Sequence, residues 1–233
     1  LRAAGTARFT FNWAVAEWQQ QYEAGGKPTA LALRTQFNAL KKAQFPWVYE
    51  VTKCAVEGAF MDVAAAFKNF FAGRKAGRKT GYPKFKSKRH SRPSFYLAND
   101  KFTVGDHWIE VPKLGRVNMA ETLRFSGKIL SARITQTATW WFVSITVEMP
   151  DDIPVNDHPP VGVDVGLNRL ATLSDGRQYE NQRPLAHQLN TLRRLNKELA
   201  RRTRGGKNWQ KTKDKLRRLH YEIACIRLDW LHK

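Results

Sequence analysis

Asp164 stands between two glycines on a strictly alternating stretch, Val161-Gly-Val-Asp-Val-Gly-Leu-Asn168. Val161, Val163 and Val165 point one way, and Gly162, Asp164 and Gly166 point the other. The first set predicts a strand face that packs into a core. The second presents one carboxylate with open space on both sides. A lone Asp at a strand centre is costly to bury unpaired, and no Lys or Arg shares the strand with it. An open carboxylate on a rigid edge suits a divalent cation, and the glycines leave room for that ion and a bulky phosphodiester beside it.

Two further stretches carry residues of one kind. Between 74 and 92 lie Arg74, Lys75, Arg78, Lys79, Lys84, Lys86, Lys88, Arg89 and Arg92, with no acidic residue among them. Tyr82 and Phe85 are interleaved. Cations meet phosphates and aromatic rings stack on exposed bases. The two rings either do this or pack under the basic loop against the neighbouring strands. Between 193 and 218 come Arg193, Arg194, Lys197, Arg201, Arg202, Arg204, Lys207, Lys211, Lys213, Lys215, Arg217 and Arg218, against only Glu198 and Asp214. Solvated helix faces normally mix signs, so this stretch predicts contact with a polyanion.

The elements that must position these residues are legible from periodicity. Phe11, Val15, Trp18 and Tyr22 form one helical stripe over residues 1–22. Gly25-Gly26 stops it. A second helix is expected from Thr29 to Gln44, with Leu33, Phe37 and Leu40 inward. A third, from about Thr52 to Phe71, carries Val56, Phe60, Val63, Phe67 and Phe70. Gly77, Gly81 and Pro83 keep the basic segment irregular. Short strands follow at 95–97, 102–104, 107–111, 129–137 and 140–148, a pattern of a small barrel. His107 and Trp108 fall at its rim.

The Pro-rich run 150–160 is a linker, and its Asp151, Asp152 and Asp157 lack a rigid frame for a metal. Strands at 170–173 and 177–180 flank the turn Ser174-Asp175-Gly176. Leu185, Leu189, Leu192 and Leu199 mark one long helix; Leu216, Leu219, Ile223, Ile226 and Trp230 mark another. Their seams predict an antiparallel hairpin.

The bulk numbers agree. Lys and Arg total 40 and Asp and Glu 20 in 233 residues, a net charge of +20. Such a charge asks for a polyanion. No apolar run approaches the roughly 18 residues of a spanning helix, so nucleic acid is favoured over membrane and a cytoplasmic location is expected, nucleoid-associated when the protein is on DNA. Cys54 and Cys225 lie far apart without a Cys-x-x-Cys and read as reduced core thiols.

Several short stretches together resemble the TnpB (OrfB) family of transposon-encoded RNA-guided nucleases, similar to compact type V CRISPR effectors. They are Ala7-Arg8-Phe9 with Asn12-Trp13-Ala14, Pro46-Trp47 with Glu50-Val51, and Ala66-Phe67-Lys68-Asn69-Phe70-Phe71. Next come Gly81-Tyr82-Pro83-Lys84-Phe85-Lys86-Ser87-Lys88, Pro112-Lys113-Leu114-Gly115 and Gly127-Lys128-Ile129, then Gly162-Val163-Asp164-Val165-Gly166 with Ser174-Asp175-Gly176.

The resemblance implies a multidomain α+β chain: a helical recognition-like lobe at 1–75, a basic linker at 76–93 and a wedge-like β-barrel at 94–150. A Pro-rich linker at 151–160 and the front part of an RNase H-like (RuvC) domain at 161–233 follow. It implies guide RNA and target DNA as partners, and Asp164 as the first catalytic carboxylate of a two-metal Mg²⁺ site. A later Glu, a later Asp and a zinc-binding Cys cluster would lie beyond Lys233, and a first wedge strand ahead of Leu1. The chain is then expected to be the front part of a longer protein and inactive by itself. Two alternatives stay open: an RNA-guided DNA binder without cleavage, and an actin- or sugar-kinase-like ATPase. In the second, a Thr or Ser would be expected where Leu167-Asn168 follow Gly166.

Overall fold

The computed structural model describes residues 1–150, 157–181 and 183–232. The expected linker therefore lies partly outside the described residues, Asp151 and Asp152 with it. The chain divides into two compact units, Leu1–Gln136 with Trp141–Pro150, and Thr137–Trp140 with Asp151–Lys233.

The first unit starts with three helices, α1 (Arg2–Glu23), α2 (Ala30–Gln44) and α3 (Cys54–Lys75). Gly25, at φ +81°, ends α1, and the Thr29 hydroxyl caps α2 by accepting from the Ala32 amide at 3.1 Å. Phe11, Val15 and Trp18 meet Leu33 and Phe37 and the α3 row Val56, Phe60, Val63 and Phe67 in one buried cluster. Trp18 stacks on Phe67 with ring centroids 3.8 Å apart. Each such side chain contributes about 1.5–3 kcal/mol by leaving water. Tyr22, expected inward, is exposed: it sits in the last turn of α1, beyond the reach of that cluster.

Irregular chain at 76–93 leads to β1 (Ser94–Ala98), β2 (Thr103–Val104), β3 (Trp108–Val111), β4 (Gly115–Asn118), β5 (Lys128–Thr137) and β6 (Trp140–Glu148). These strands form two three-stranded sheets, ordered β1-β5-β6 and β2-β3-β4. Among the described residues the ladders do not run on from one sheet into the other as in a closed barrel. A second core joins them to the helices. Ala4, Cys54 and Ala55 pack with Phe95 and Leu97 of β1, Ile109 and Val111 of β3, and Ala132 of β5. Close approach makes this possible: a Cβ on Gly58 of α3 would lie 2.3 Å from the Tyr96 Cβ.

The second unit holds an antiparallel sheet of β7 (Val163–Val165), β8 (Arg169–Leu173) and β9 (Gln178–Glu180), then helices α4 (Pro184–Arg201) and α5 (Lys207–Leu231). The helices pack through Leu192, Leu195, Leu219 and Ile223, with Leu216 half-buried beside them. Leu185 and Leu189, expected in the seam, are exposed; the seam falls at the middle of both helices, where Leu195 joins Leu192. At the C-cap of α4, Arg202 turns back, pairing with Glu198 and donating to the Asn208 carbonyl. The buried Thr212 hydroxyl donates to the same Glu198 carboxylate at 3.2 Å. Both cysteines are free thiols, Cys54 buried and Cys225 half-buried. Among the described residues no helix is long and apolar enough to cross a membrane.

Candidate functional site

Asp164 lies at the centre of β7, directly opposite Thr172, which is opposite Gln178 of β9. Residues opposite one another share a face. A carboxylate, a hydroxyl and a carboxamide thus form a polar row across the sheet, running the width of all three strands. The glycines beside Asp164 keep its surroundings open: a Cβ on Gly162 would meet only Ser174, at 3.6 Å or more. Gly162 and Ser174 are tied in both directions, by Gly162 N to Ser174 Oγ at 3.0 Å and Ser174 N to the Gly162 carbonyl at 2.9 Å. Pairing of Asp164 with Thr172 and Gln178 depends on register, which the sequence pattern leaves unset.

The opposite face corrects the expectation of a buried valine row. Val163 and Val165 are 62% and 75% exposed. They do face Leu173 and Ala171 across the ladder, but among the described residues no element covers them. The strand is also shorter than its alternation suggests, because glycine bounds it at 162 and 166.

Beyond β7 the loop is held by the chain that enters α4. Asn181 Nδ2 donates to the Leu167 carbonyl at 2.9 Å, and Arg183 Nη2 reaches the same oxygen at 3.4 Å. Arg183 adopts φ +43°, a left-handed conformation uncommon for a non-glycine residue; its amide donates to Asn181 Oδ1 at 3.1 Å. In the neighbouring turn, Arg177 grips Asp175 through its amide, Nε and Nη2, at 3.1, 2.8 and 2.6 Å. The guanidinium holds the Asp175 carboxyl below its usual range. Asp175 is therefore committed to the turn.

Among the described residues, no three His, Cys, Asp or Glu side chains lie together. Asp164 offers one carboxylate, with neutral oxygens beside it. Two Mg²⁺ ions about 3.5–4 Å apart need more anionic oxygen than that, so the residues present do not fit a two-ion site.

The cations fall into two surfaces. On α4 and at its C-cap, Asn190, Arg193, Arg194, Lys197, Arg201 and Arg202 line an open groove together with Glu198. Positions 190, 194, 197 and 201 recur on one stripe, about one helical turn of 5.4 Å apart. Lys207, Lys211, Lys215 and Arg218 follow the same spacing on α5. Arg218 is partly engaged: it donates to Thr139 Oγ1 at 2.9 Å and lies over the Trp140 ring. Arg204 is exposed in the turn.

In the other segment, Arg74, Lys75, Arg78, Lys79, Lys84, Lys88 and Arg89 are all exposed, and Arg92 with them. Lys86 differs. Its backbone pairs both ways with the Asn12 amide, at 2.7 and 2.9 Å, and its ammonium lies 3.1 Å from Asp62 and 3.9 Å from the Phe11 ring centre. Tyr82 packs edge-on against Phe67 and Phe70 of α3; that burial, with Glu23 near, raises its hydroxyl pKa. The ring contacts the helices rather than the strands, and Tyr82 stays 39% exposed. Phe85 is 60% exposed.

Residues 144–233 match a family described as probable transposase, and residues 1–27 match a helix-turn-helix domain of the same group. The whole chain aligns at 32% identity with InsQ of Escherichia coli (strain K12), named as a candidate RNA-guided DNA endonuclease, over 57% of that protein. Proteins with the same description from Streptomyces pristinaespiralis and Mycobacterium tuberculosis are 28% and 27% identical, over 83% and 99% of this chain. The chain spans about half the length of the curated relatives it matches. A CRISPR-Cas12f ternary complex aligns over 98% of this chain and 59% of that one, at 12% identity and a TM-score of 0.35.

Proposed function

The chain belongs to the OrfB (TnpB) transposase family, and from that premise we propose that it serves RNA-guided cutting of DNA. The observation that carries this reading is the alignment of the entire chain with InsQ. The surfaces suit it. Single-sign stripes on α4 and α5 match the phosphates of a guide RNA or of its duplex with target DNA. The two β-sheets of the first unit take the part of the wedge that grips the guide. The sheet β7-β8-β9 is the opening of an RNase H-like nuclease fold.

Asp164 is the catalytic carboxylate in this reading. It sits exposed at a strand centre, with space beside Gly162 and the Arg169 carbonyl close to Gly166. In a protein spanning the relatives' full length, Asp164→Ala abolishes cleavage of matched DNA and leaves guided binding intact, measured by gel cleavage and by filter binding on the same samples. Cleavage that survives the substitution refutes the assignment.

A second reading is guided DNA binding without cleavage, and cutting of matched DNA by a protein of the relatives' full length separates the two; under either reading no group of three His, Cys, Asp or Glu side chains among the described residues could hold a metal. Residues 1–233 alone are then expected to bind Mg²⁺ weakly and to leave DNA uncut. Sequencing the nucleic acid that copurifies with the chain identifies the guide under either reading.

A further inference from the structure

A hollow of about 150 Å³ opens in the first unit where α1, α3, β1 and β5 meet the basic segment. Four cations converge on it, Arg8 from α1, Lys86 and Arg92 from the basic segment and Arg133 from β5. One carboxylate, Asp62, stands among them. It pairs with two: Arg133 Nη2 at 2.8 Å and Nη1 at 3.3 Å, and Lys86 Nζ at 3.1 Å. Arg8 and Arg92 have no ion-pair partner among the described residues. Like charges gathered around a half-enclosed space repel one another more strongly than on an open surface. A bound anion relieves that repulsion.

The rest of the lining is uncharged. Ala4 and Ala7 of α1 and Ala59 of α3 are small, and Ser91, Ser94 and Tyr96 stand beside them. An uncharged, hydroxyl-bearing sugar suits that mixed lining, with its phosphate among the cations. The volume is far too small for a duplex.

We propose that this hollow holds one phosphate of a single nucleic-acid strand, its sugar against the uncharged part of the lining. The proposal deepens the nucleic-acid reading above and rests on it. Arg8 and Arg92 grip the phosphate, while Asp62 holds Arg133 and Lys86 in place on its other side. Arg8 and Arg133 lie outside both basic stretches of the sequence.

The test uses the 233-residue chain and labelled single-stranded RNA and DNA in anisotropy titrations across a salt series. Arg8→Gln with Arg92→Gln removes two cations that support no described contact, so the melting temperature is expected to stay unchanged. Affinity for one or both strands is expected to fall by about tenfold or more, as for charge-assisted bonds, with the log–log salt slope falling by about 0.7. Lys27→Gln with Lys42→Gln removes the same charge elsewhere on this unit and gives the baseline.

A loss no larger than that baseline overturns the pocket, and leaves the wider reading standing if substitutions on α4 still weaken binding. Absence of any strand binding by the unmodified chain overturns both. Inorganic phosphate alone raising the melting temperature of the unmodified chain but not of the double variant, with strand binding unaffected, would mark a small-anion site and overturn the strand assignment.

Discussion

Tyr82 and Phe85 sit three residues apart in one basic segment and have different surroundings. The Tyr82 ring lies 5.4 Å from Phe67 and 5.5 Å from Phe70, edge-on to both. Such pairs contribute about 0.5–1.5 kcal/mol beyond the area they bury. Phe85 has no such neighbour among the described residues and faces solvent. Tyr82→Ala is therefore expected to lower the melting temperature by several degrees, whereas Phe85→Ala leaves melting unchanged and weakens binding to single strands, by about 1–3 kcal/mol if its ring stacks on a base. Thermal melts beside anisotropy titrations of both variants decide this; the reverse pattern would exchange the two roles. Neither ring's role was legible from its place among the cations, because the Phe67 and Phe70 that claim Tyr82 belong to a helix behind the segment.

At the scale of elements, the helix α4 separates two kinds of arginine. Arg193, Arg194, Lys197 and Arg201 line the groove and pair with no carboxylate among the described residues, while Arg202 pairs with Glu198 and ties down the turn. Replacing the first four with Ala is expected to flatten the salt dependence of RNA binding by about 0.7 for each single-strand phosphate left without its cation. An unchanged slope would move the interaction off this helix. Arg202→Ala is the contrasting variant, lowering stability through the turn.

The long helices were legible because apolar stripes at helical spacing are hard to produce otherwise. Phe11, Val15 and Trp18, and the row from Val56 to Phe67, all point inward as their spacing requires. The strand β4 was not legible, since all four of its residues are exposed and it carries no alternation. Asp164 stood out by its glycines. The row it forms with Thr172 and Gln178 did not, because it comes from strand register, and the hollow around Arg8 and Arg133 gathers residues up to 129 positions apart, Ala4 to Arg133.

Over the molecule as a whole, the two basic stretches hold twenty-one of the forty cations. That concentration leaves the first unit with an irregular segment, 76–93, rich in sites for a protease that cuts after Lys and Arg. The segment is anchored where Asn12 grips the Lys86 backbone, and the helices before it share a buried core with the strands after it, through Ala4, Cys54, Ala55, Phe95 and Leu97. Brief trypsin treatment is therefore expected to cut at the exposed Lys79, Lys84 or Lys88 ahead of Lys86. The two pieces should then elute as one species on size exclusion and separate only in denaturant. Pieces that part in native buffer would mean that this core does not hold without the covalent link. If they stay together, the backbone here is dispensable once folding is done, and the helices and strands could be made as two polypeptides that reassemble on mixing.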